Sequence, residues 1–135
     1  MSTMKLIILY LLTVPVFFFI DMTWLGLVAK NFYRSQLGSL MRTDIIWSVA
    51  MLFYFLFILG IIIFAVMPAI SASSWVKALT LGAMFGFFTY MTYDLTNYAT
   101  LKDFPFAIVI PDIIWGTVLS GSVATASFFI SRLIA

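Results

Sequence analysis

The acidic side chains of this sequence are few, and every one of them is an aspartate. They are Asp21, Asp44, Asp94, Asp103 and Asp112. Three of them stand three positions before a tryptophan, in the segments 21–24, 44–47 and 112–115. Residues at this spacing share one face of a helix, so each pair would bring a carboxylate and an indole N–H to the same place. Carboxylates beside aromatic rings suit proton sharing, or the binding of a cation or a polar head group.

A further polar set lies in the segment 89–100, which is rich in threonine and tyrosine. Within it, Tyr90, Asp94 and Asn97 are spaced so that they share one helix face. A carboxylate at membrane depth is costly and normally faces the interior of a helix bundle. The spacing therefore predicts that Asp94 lines a polar pocket.

The composition indicates an integral membrane protein. Of the 135 residues, 64% are hydrophobic and 9% are charged, whereas soluble domains contain about 25% charged residues. The sequence has neither Cys nor His, which excludes disulfides, haem ligation by His and nearly all zinc or iron sites. No metal and no cofactor is therefore expected. The small net charge of +2 and the scattered basic residues argue against nucleic-acid binding.

Four apolar stretches are each long enough for a membrane helix, which needs roughly 20 residues. They occupy about residues 4–29, 45–67, 75–101 and 107–131. Because the stretches are continuous and do not alternate, they favour α-helices over a β-barrel. The predicted fold class is all-α: a single transmembrane domain, residues 1–135, built as a four-helix bundle.

Small residues recur at helical spacing in the third and fourth stretches, which predicts close packing of these helices. The two stripes are Ala78, Gly82 and Gly86, and Gly116, Ser120 and Ala124. The connection 30–43 is expected to form an amphipathic helix at the membrane interface. Ser73 or Ser74 is expected to cap the third helix. Pro111 is expected to start or kink the fourth.

Three short motifs occur in the same order in both halves of the chain: 21–23 with 94–96, 30–32 with 102–104, and 44–47 with 112–115. This order predicts an internal duplication of a helical hairpin, with halves of about residues 1–67 and 68–135. The hairpins would be related by a pseudo-two-fold axis along the membrane normal. Asp21 would then face Asp94, and Asp44 would face Asp112.

The direction of the helices places these four aspartates in one half of the bilayer. At 1.5 Å per residue, Asp21 and Asp94 lie roughly 12–13 Å inside the boundary marked by the basic connections. The sequence thus predicts a ligand-binding pocket lined by Asp21, Trp24, Asp44, Trp47, Tyr90, Asp94, Asn97, Asp112 and Trp115. For Asp44 and Asp112 the alternative is a favourable position in the first turn of a helix.

Three functions fit such a pocket. The protein could bind or transport a small solute or a lipid head group, with proton transfer at Asp21 or Asp94. It could be an accessory protein, partnered by membrane lipid, a second copy or another membrane subunit, in which the aspartates hold the bundle together. It could also be an enzyme acting on a lipid or isoprenoid by aspartate acid–base chemistry. The absence of His, of a nucleophile motif and of a phosphate loop argues against an enzyme.

The segments FIDMTWLG (19–26), YDLTNYA (93–99) and DIIWG (112–116) together resemble the bacterial membrane family designated domain of unknown function 2177. The resemblance covers essentially the whole chain. It implies a multi-pass protein with four spans in the bacterial inner membrane. It implies no activity and no catalytic residue.

Overall fold

The chain folds into helices and the turns that join them. A computed structural model describes all residues, 1–135, and contains no strand, which confirms the all-α class. The five helices are α1 (Thr3–Val28), α2 (Phe32–Leu37), α3 (Trp47–Ser71), α4 (Trp75–Thr100) and α5 (Phe106–Leu133). The short α2 is followed by a 3₁₀ turn, Gly38–Leu40.

Serine side chains define where two of the long helices begin. The Ser2 hydroxyl accepts a hydrogen bond from the Lys5 amide at 3.2 Å, which caps α1. The Ser74 hydroxyl accepts one from the Lys77 amide at 3.1 Å, which caps α4. Each serine satisfies one of the amides that a helix start leaves unpaired. The prediction that Ser73 or Ser74 caps this helix is confirmed for Ser74.

Two of the long helices contain a π-helical turn. The turn Trp24–Val28 ends α1, and the turn Ile62–Val66 interrupts α3. In the first of these, the Ala29 amide donates to the Trp24 carbonyl at 2.7 Å. A π turn changes the direction of the side chains that follow it and is frequent at functional sites. Here it lies directly after the part of α1 that carries Asp21.

The starts of α3 and α5 differ from the sequence-based expectation for two aspartates. Helix α5 begins at Phe106, so Pro111 and Asp112 lie inside it, beyond the first turn. Helix α3 begins at Trp47, and no side chain caps it, so Asp44 stays in the preceding turn. Helix-start stabilisation therefore accounts for neither carboxylate, because each lies outside the first turn of its helix.

The interface between α4 and α5 is the most extensive in the molecule. The predicted small-residue stripes form it. A Cβ atom added at Gly86 would meet the Gly116 carbonyl oxygen, and one added at Gly82 would meet Ala124. Backbones this close give extensive dispersion contact and leave no room for larger side chains. The prediction of close packing between these helices is confirmed.

Helix α1 packs against α5 and α3. A buried hydrogen bond of 2.8 Å joins the hydroxyls of Thr13 in α1 and Ser127 in α5. The apolar core lies between these helices and includes Leu9, Phe17, Ile58, Leu119 and Phe128. The packing of this core fixes the relative positions of the helices that carry the polar residues described below.

Three of the four long helices, α1, α3 and α5, are long and apolar enough to cross a membrane, with mean hydropathies of 2.2, 2.9 and 1.7. Many large apolar side chains point outward from the helices, among them Phe19 at 76% and Leu27 at 80% exposure. Apolar surface on this scale is costly in water and favourable against lipid chains.

Candidate functional site

Asp21 connects three helices at one end of the molecule. Its side chain is buried, with 4% exposure, and its Oδ1 accepts a hydrogen bond of 3.0 Å from the Trp115 indole Nε1 of α5. The Tyr54 hydroxyl of α3 lies beside the same carboxylate. A buried carboxylate is tolerated where donors surround it. Asp21 therefore lies in the molecular interior.

Tyr33 of α2 bridges two other residues of this region. The Trp24 indole Nε1 donates to the Tyr33 hydroxyl at 3.0 Å, and this hydroxyl donates to Oδ1 of Asp112 at 2.7 Å. Burial, followed by the negative charge of Asp112, raises the pKa of the Tyr33 hydroxyl above its ordinary value. The hydroxyl therefore keeps its proton at neutral pH and remains a donor to Asp112.

The two tryptophans of this network lie flat against each other. The rings of Trp24 and Trp115 are stacked, with centroids 4.7 Å apart and an interplanar angle of 7°. Each indole N–H points to a different acceptor: that of Trp24 to Tyr33, and that of Trp115 to Asp21. Such a stack contributes about 0.5–1.5 kcal/mol beyond the burial of its area. Because Trp115 binds Asp21 and Trp24 is linked to Asp112 through Tyr33, the stack keeps the two carboxylates near each other.

Asp94 lies against Asp112. The Asp94 side chain is fully buried, and neither of its carboxylate oxygens accepts a hydrogen bond from a donor. The carboxyl group of Asp112 lies beside it, and the hydroxyls of Tyr33 and Tyr93 are further polar neighbours. The expected contacts between Asp21 and Asp94, and between Asp44 and Asp112, are therefore replaced by a contact between Asp94 and Asp112. Asp112 also lines the same space as Asp21, so it is near both of the other acids.

Asp21, Asp112 and the aromatic residues hydrogen-bonded to them surround a cavity of about 280 Å³, here called the polar cavity. Its size is close to the lower end of the range for small-ligand sites. The walls come from α1, α2, the turn after it, α3, α4 and α5. The lining residues are Asp21, Trp24, Leu25, Tyr33, Leu37, Met41, Phe53, Tyr54, Tyr90, Asp112 and Trp115.

No basic side chain neutralises the acids of the polar cavity. The one ion pair of the structure joins Arg42 to Asp44 at 3.4 Å, and both side chains are exposed. Asp21 and Asp112 receive hydrogen bonds from uncharged indole and phenol groups instead. Each carboxylate can accept about four hydrogen bonds, so each retains acceptor capacity. No group of three or more His, Cys, Asp or Glu side chains converges in a geometry that could hold a metal ion.

A comparison with protein-family models matches residues 6–129 to the family described as "Predicted membrane protein (DUF2177)". The chain belongs to this DUF2177 family. Neither the comparison with curated proteins nor that with solved structures gives a significant match. Family membership and the three apolar helices together support a membrane location for this DUF2177 protein.

The structure brings together six of the nine residues predicted for the pocket of this DUF2177 protein. Five of them line the polar cavity: Asp21, Trp24, Tyr90, Asp112 and Trp115. The sixth, Asp94, is fully buried beside Asp112 and is not among the residues that line the cavity.

The other three predicted residues lie elsewhere. Asp44 pairs with Arg42 on the surface. Trp47 is 63% exposed at the start of α3. Asn97 lies beside Tyr93 and is absent from the cavity wall. The predicted duplication places Asp44 opposite Asp112. In the structure Asp112 lies within α5 and faces the polar cavity, whereas Asp44 lies before the start of α3.

Two tyrosines of the DUF2177 site were missed in the sequence. Tyr33 lies in the connection expected to be an interfacial helix, and Tyr54 lies in a stretch read as uniformly apolar. One signal was available: α2 follows the helix that carries Asp21, and Tyr33 is the one aromatic residue of α2 that has a hydroxyl. Nothing in the local sequence distinguishes Tyr54 from the surrounding apolar residues, because the phenol is itself amphipathic.

Replacing Tyr33 by Phe is expected to destabilise this site. The change removes one hydroxyl and leaves both the Trp24 indole N–H and an Asp112 oxygen without their partner. We expect the free energy of unfolding to fall by about 1–2 kcal/mol. Thermal unfolding in detergent, followed by tryptophan fluorescence, measures the change. The matched control is Tyr98→Phe, since the structure shows no hydrogen bond from the half-exposed Tyr98. Equal melting temperatures for the two variants would contradict the bridge.

Proposed function

We propose that this protein binds a small solute or a lipid head group in the polar cavity, and that it does so as a multi-pass protein of the inner membrane. One observation carries this proposal. Asp21 and Asp112 border a cavity of about 280 Å³ and have no basic partner. Buried carboxylates are normally paired, so a set held only by uncharged donors suits a ligand that supplies the missing donors or charge. Transport of the same ligand is a further step that the site would permit.

Four membrane spans are part of the proposal. Helix α4 has 26 residues and would be about 39 Å long, enough to cross a bilayer. It is less apolar than the other long helices because it carries threonines, tyrosines and Asp94. Its Gly82 and Gly86 lie against α5 rather than lipid. A polar helix is acceptable in a membrane when neighbouring helices cover its polar face.

The internal duplication also remains a proposal. Each half consists of two long helices, and Asp21 and Asp94 are buried near the ends of the first helix in each half. The second helices differ, because Asp112 lies within α5 and Asp44 lies before α3. If the halves are duplicates, the second motif therefore occupies a different structural position in each half.

Proton transfer would accompany binding through Asp94 and Asp112. Two carboxylates in contact, within apolar surroundings, repel each other strongly when both are ionised. A proton held between them replaces this repulsion by a hydrogen bond. A cationic ligand reaching Asp112 would favour release of this proton. Ligand affinity should then rise with pH as the proton held by Asp94 is lost.

A second candidate function is that of an accessory protein, and a specific observation favours it. The hydrogen bonds of Asp21 and Asp112 link different helices: α1 to α5 through Trp115, and α2 to α5 through Tyr33. Networks of this kind fix the arrangement of helices. In that case the aspartates would contribute stability and would bind no ligand.

Native mass spectrometry of protein purified in mild detergent separates these functions. The variants are Asp21→Asn and its matched control Asp44→Asn, which makes the same change in charge outside the cavity. We expect a bound small molecule or lipid on wild type and on the control. We expect its affinity to fall about tenfold or more in Asp21→Asn, equivalent to at least about 1.4 kcal/mol. Melting temperatures are recorded for all three proteins.

The two functions predict different outcomes. A specific adduct lost only in Asp21→Asn, with little change in melting temperature, supports the binding function and identifies the ligand by mass. The absence of any adduct, together with a much lower melting temperature for Asp21→Asn alone, overturns it in favour of the accessory function.

A further inference from the structure

An apolar groove adjoins the polar cavity on the side of α3 and α4. A cavity of about 450 Å³ lies between these helices, lined by Phe53, Phe57, Thr89, Tyr90, Tyr93 and Asp112. Three of its residues, Phe53, Tyr90 and Asp112, also line the polar cavity. The two spaces therefore meet at Asp112. We call the apolar one the lateral groove.

The lateral groove extends along the outer face of the helices. A second apolar cavity, also of about 450 Å³, shares Phe53 and Phe57 with the first and continues to Val49 on α3 and Phe85 on α4. The α3 side chains at its edge are exposed, Leu52 at 58% and Leu56 at 57%. In a bilayer this surface faces hydrocarbon, so the groove opens sideways to the lipid chains.

The charges around the polar cavity complement a zwitterionic head group. Asp21 and Asp112 lie on the cavity wall beside the stacked Trp24 and Trp115 rings, and their carboxylate oxygens can accept hydrogen bonds from an ammonium group. The connection after α1 contributes Tyr33 to the cavity wall. On the same connection the basic side chains of Lys30 and Arg34 lie exposed, whereas Arg42 is paired with Asp44. An ammonium would be attracted inward and a phosphate outward.

On these grounds, and resting on the proposed binding function, we propose that the ligand is a membrane phospholipid with a primary ammonium head group. The ammonium enters the polar cavity, where Asp21 and Asp112 accept hydrogen bonds from it. The phosphate lies near the basic connection, and one acyl chain occupies the lateral groove. A primary ammonium fits better than a quaternary one because the two carboxylates have unused acceptor capacity that a quaternary group cannot use.

Thr89 allows the groove to be closed without touching the polar cavity. It lines the lateral groove only, and its hydroxyl donates to the Phe85 carbonyl of its own helix at 2.7 Å. Thr89→Phe therefore fills the groove and leaves no partner unpaired between helices. Thr92→Phe is the matched control, since Thr92 also bonds within its own helix, to the Phe88 carbonyl at 2.6 Å, and lines neither space.

The first arm of the experiment measures lipid retention by native mass spectrometry. Each protein is incubated with equal amounts of phosphatidylethanolamine, phosphatidylcholine and phosphatidylglycerol that carry the same acyl chains. We expect wild type and Thr92→Phe to retain phosphatidylethanolamine about tenfold or more over phosphatidylglycerol. We expect Thr89→Phe to lose this lipid by a similar factor. Thr89→Leu places a smaller side chain in the lateral groove and replaces Thr89→Phe in the experiment if that variant does not fold.

The second arm measures head-group binding alone. Trp47→Phe with Trp75→Phe leaves Trp24 and Trp115 as the only tryptophans, and ethanolamine is titrated while their fluorescence is recorded. We expect a saturable change that persists when Thr89→Phe is added and disappears when Asp21→Asn is added. Wild-type preference for phosphatidylglycerol, or for no head group, overturns the lipid assignment. So does equal lipid retention by Thr89→Phe and Thr92→Phe.

The two arms distinguish the failure of this inference from failure of the binding function. One outcome is that ethanolamine binding depends on Asp21, while lipid retention is the same with and without Thr89→Phe or is the same for all head groups. In that case the binding function is supported and the lipid assignment is wrong. If neither ethanolamine nor any lipid binds in a manner that depends on Asp21, both fall.

Discussion

Gly86→Ala is expected to lower the free energy of unfolding by about 2–3 kcal/mol, because it places a methyl group where the backbone of α5 lies. The new Cβ would meet the Gly116 carbonyl oxygen and the Ser120 hydroxyl. A flexible side chain could move aside, but a helix backbone can yield only if α4 and α5 separate. Separation would remove dispersion contacts along the most extensive interface of the molecule.

Gly26→Ala is the matched control for this prediction. It is the same substitution, also in a helix, at a position where the added Cβ meets nothing within 4 Å. We expect it to leave stability unchanged or to raise it by about 0.5–1 kcal/mol, since alanine favours the helix. Thermal unfolding of both variants in the same detergent measures the difference. If Gly86→Ala melts with or above Gly26→Ala, then α4 and α5 do not approach as closely as described.

At a pH at which Asp94 is ionised, Asp94→Asn is expected to raise the free energy of unfolding by about 1–3 kcal/mol. The Asp94 carboxylate is buried and accepts no hydrogen bond from a donor, and such a group is costly to bury. The asparagine amide has nearly the same shape and can donate to Asp112. A gain in stability on removing a carboxylate would identify Asp94 as a residue retained for a purpose other than stability, as expected at functional sites.

The same variant tests the proton proposal. Without Asp94 there is no proton to share with Asp112, so the affinity for a cationic ligand should lose its rise with pH. Asp44→Asn is the control, because it breaks an exposed ion pair worth at most about 1 kcal/mol and leaves the buried acids unchanged. A lower melting temperature for Asp94→Asn would show that the pair stabilises the fold, and unchanged pH dependence would remove it from the binding step.

Composition and periodicity were sufficient for the coarse structure. The continuous apolar runs correctly predicted an all-α protein, and three of the four predicted spans are helices long and apolar enough to cross a membrane. Small residues at helical spacing correctly predicted the contact of α4 with α5, because only small side chains permit such close approach. The polar segments also resembled the DUF2177 family to which the chain belongs.

The site was only partly predictable, and Asp44 and Asp112 show why. Both precede the same Ile-Ile-Trp sequence, yet Asp44 is paired with Arg42 on the surface and Asp112 accepts a hydrogen bond inside the molecule. The difference arises from where each helix begins. Helix α5 starts six residues before Asp112, whereas α3 starts after Asp44.

The sequence by itself determined the helical class, the membrane character and the scarcity of charges in the interior, because these follow from the number and order of apolar residues. Only the tertiary structure decided which acids meet. It placed the Tyr33 hydroxyl of α2 within hydrogen-bonding distance of Asp112 and stacked Trp24 on Trp115. It also placed Asp94 beside Asp112 instead of beside Asp21. The physical reason is that spacing along one helix defines a shared face, whereas contacts between helices depend on where each helix starts and how it is rotated.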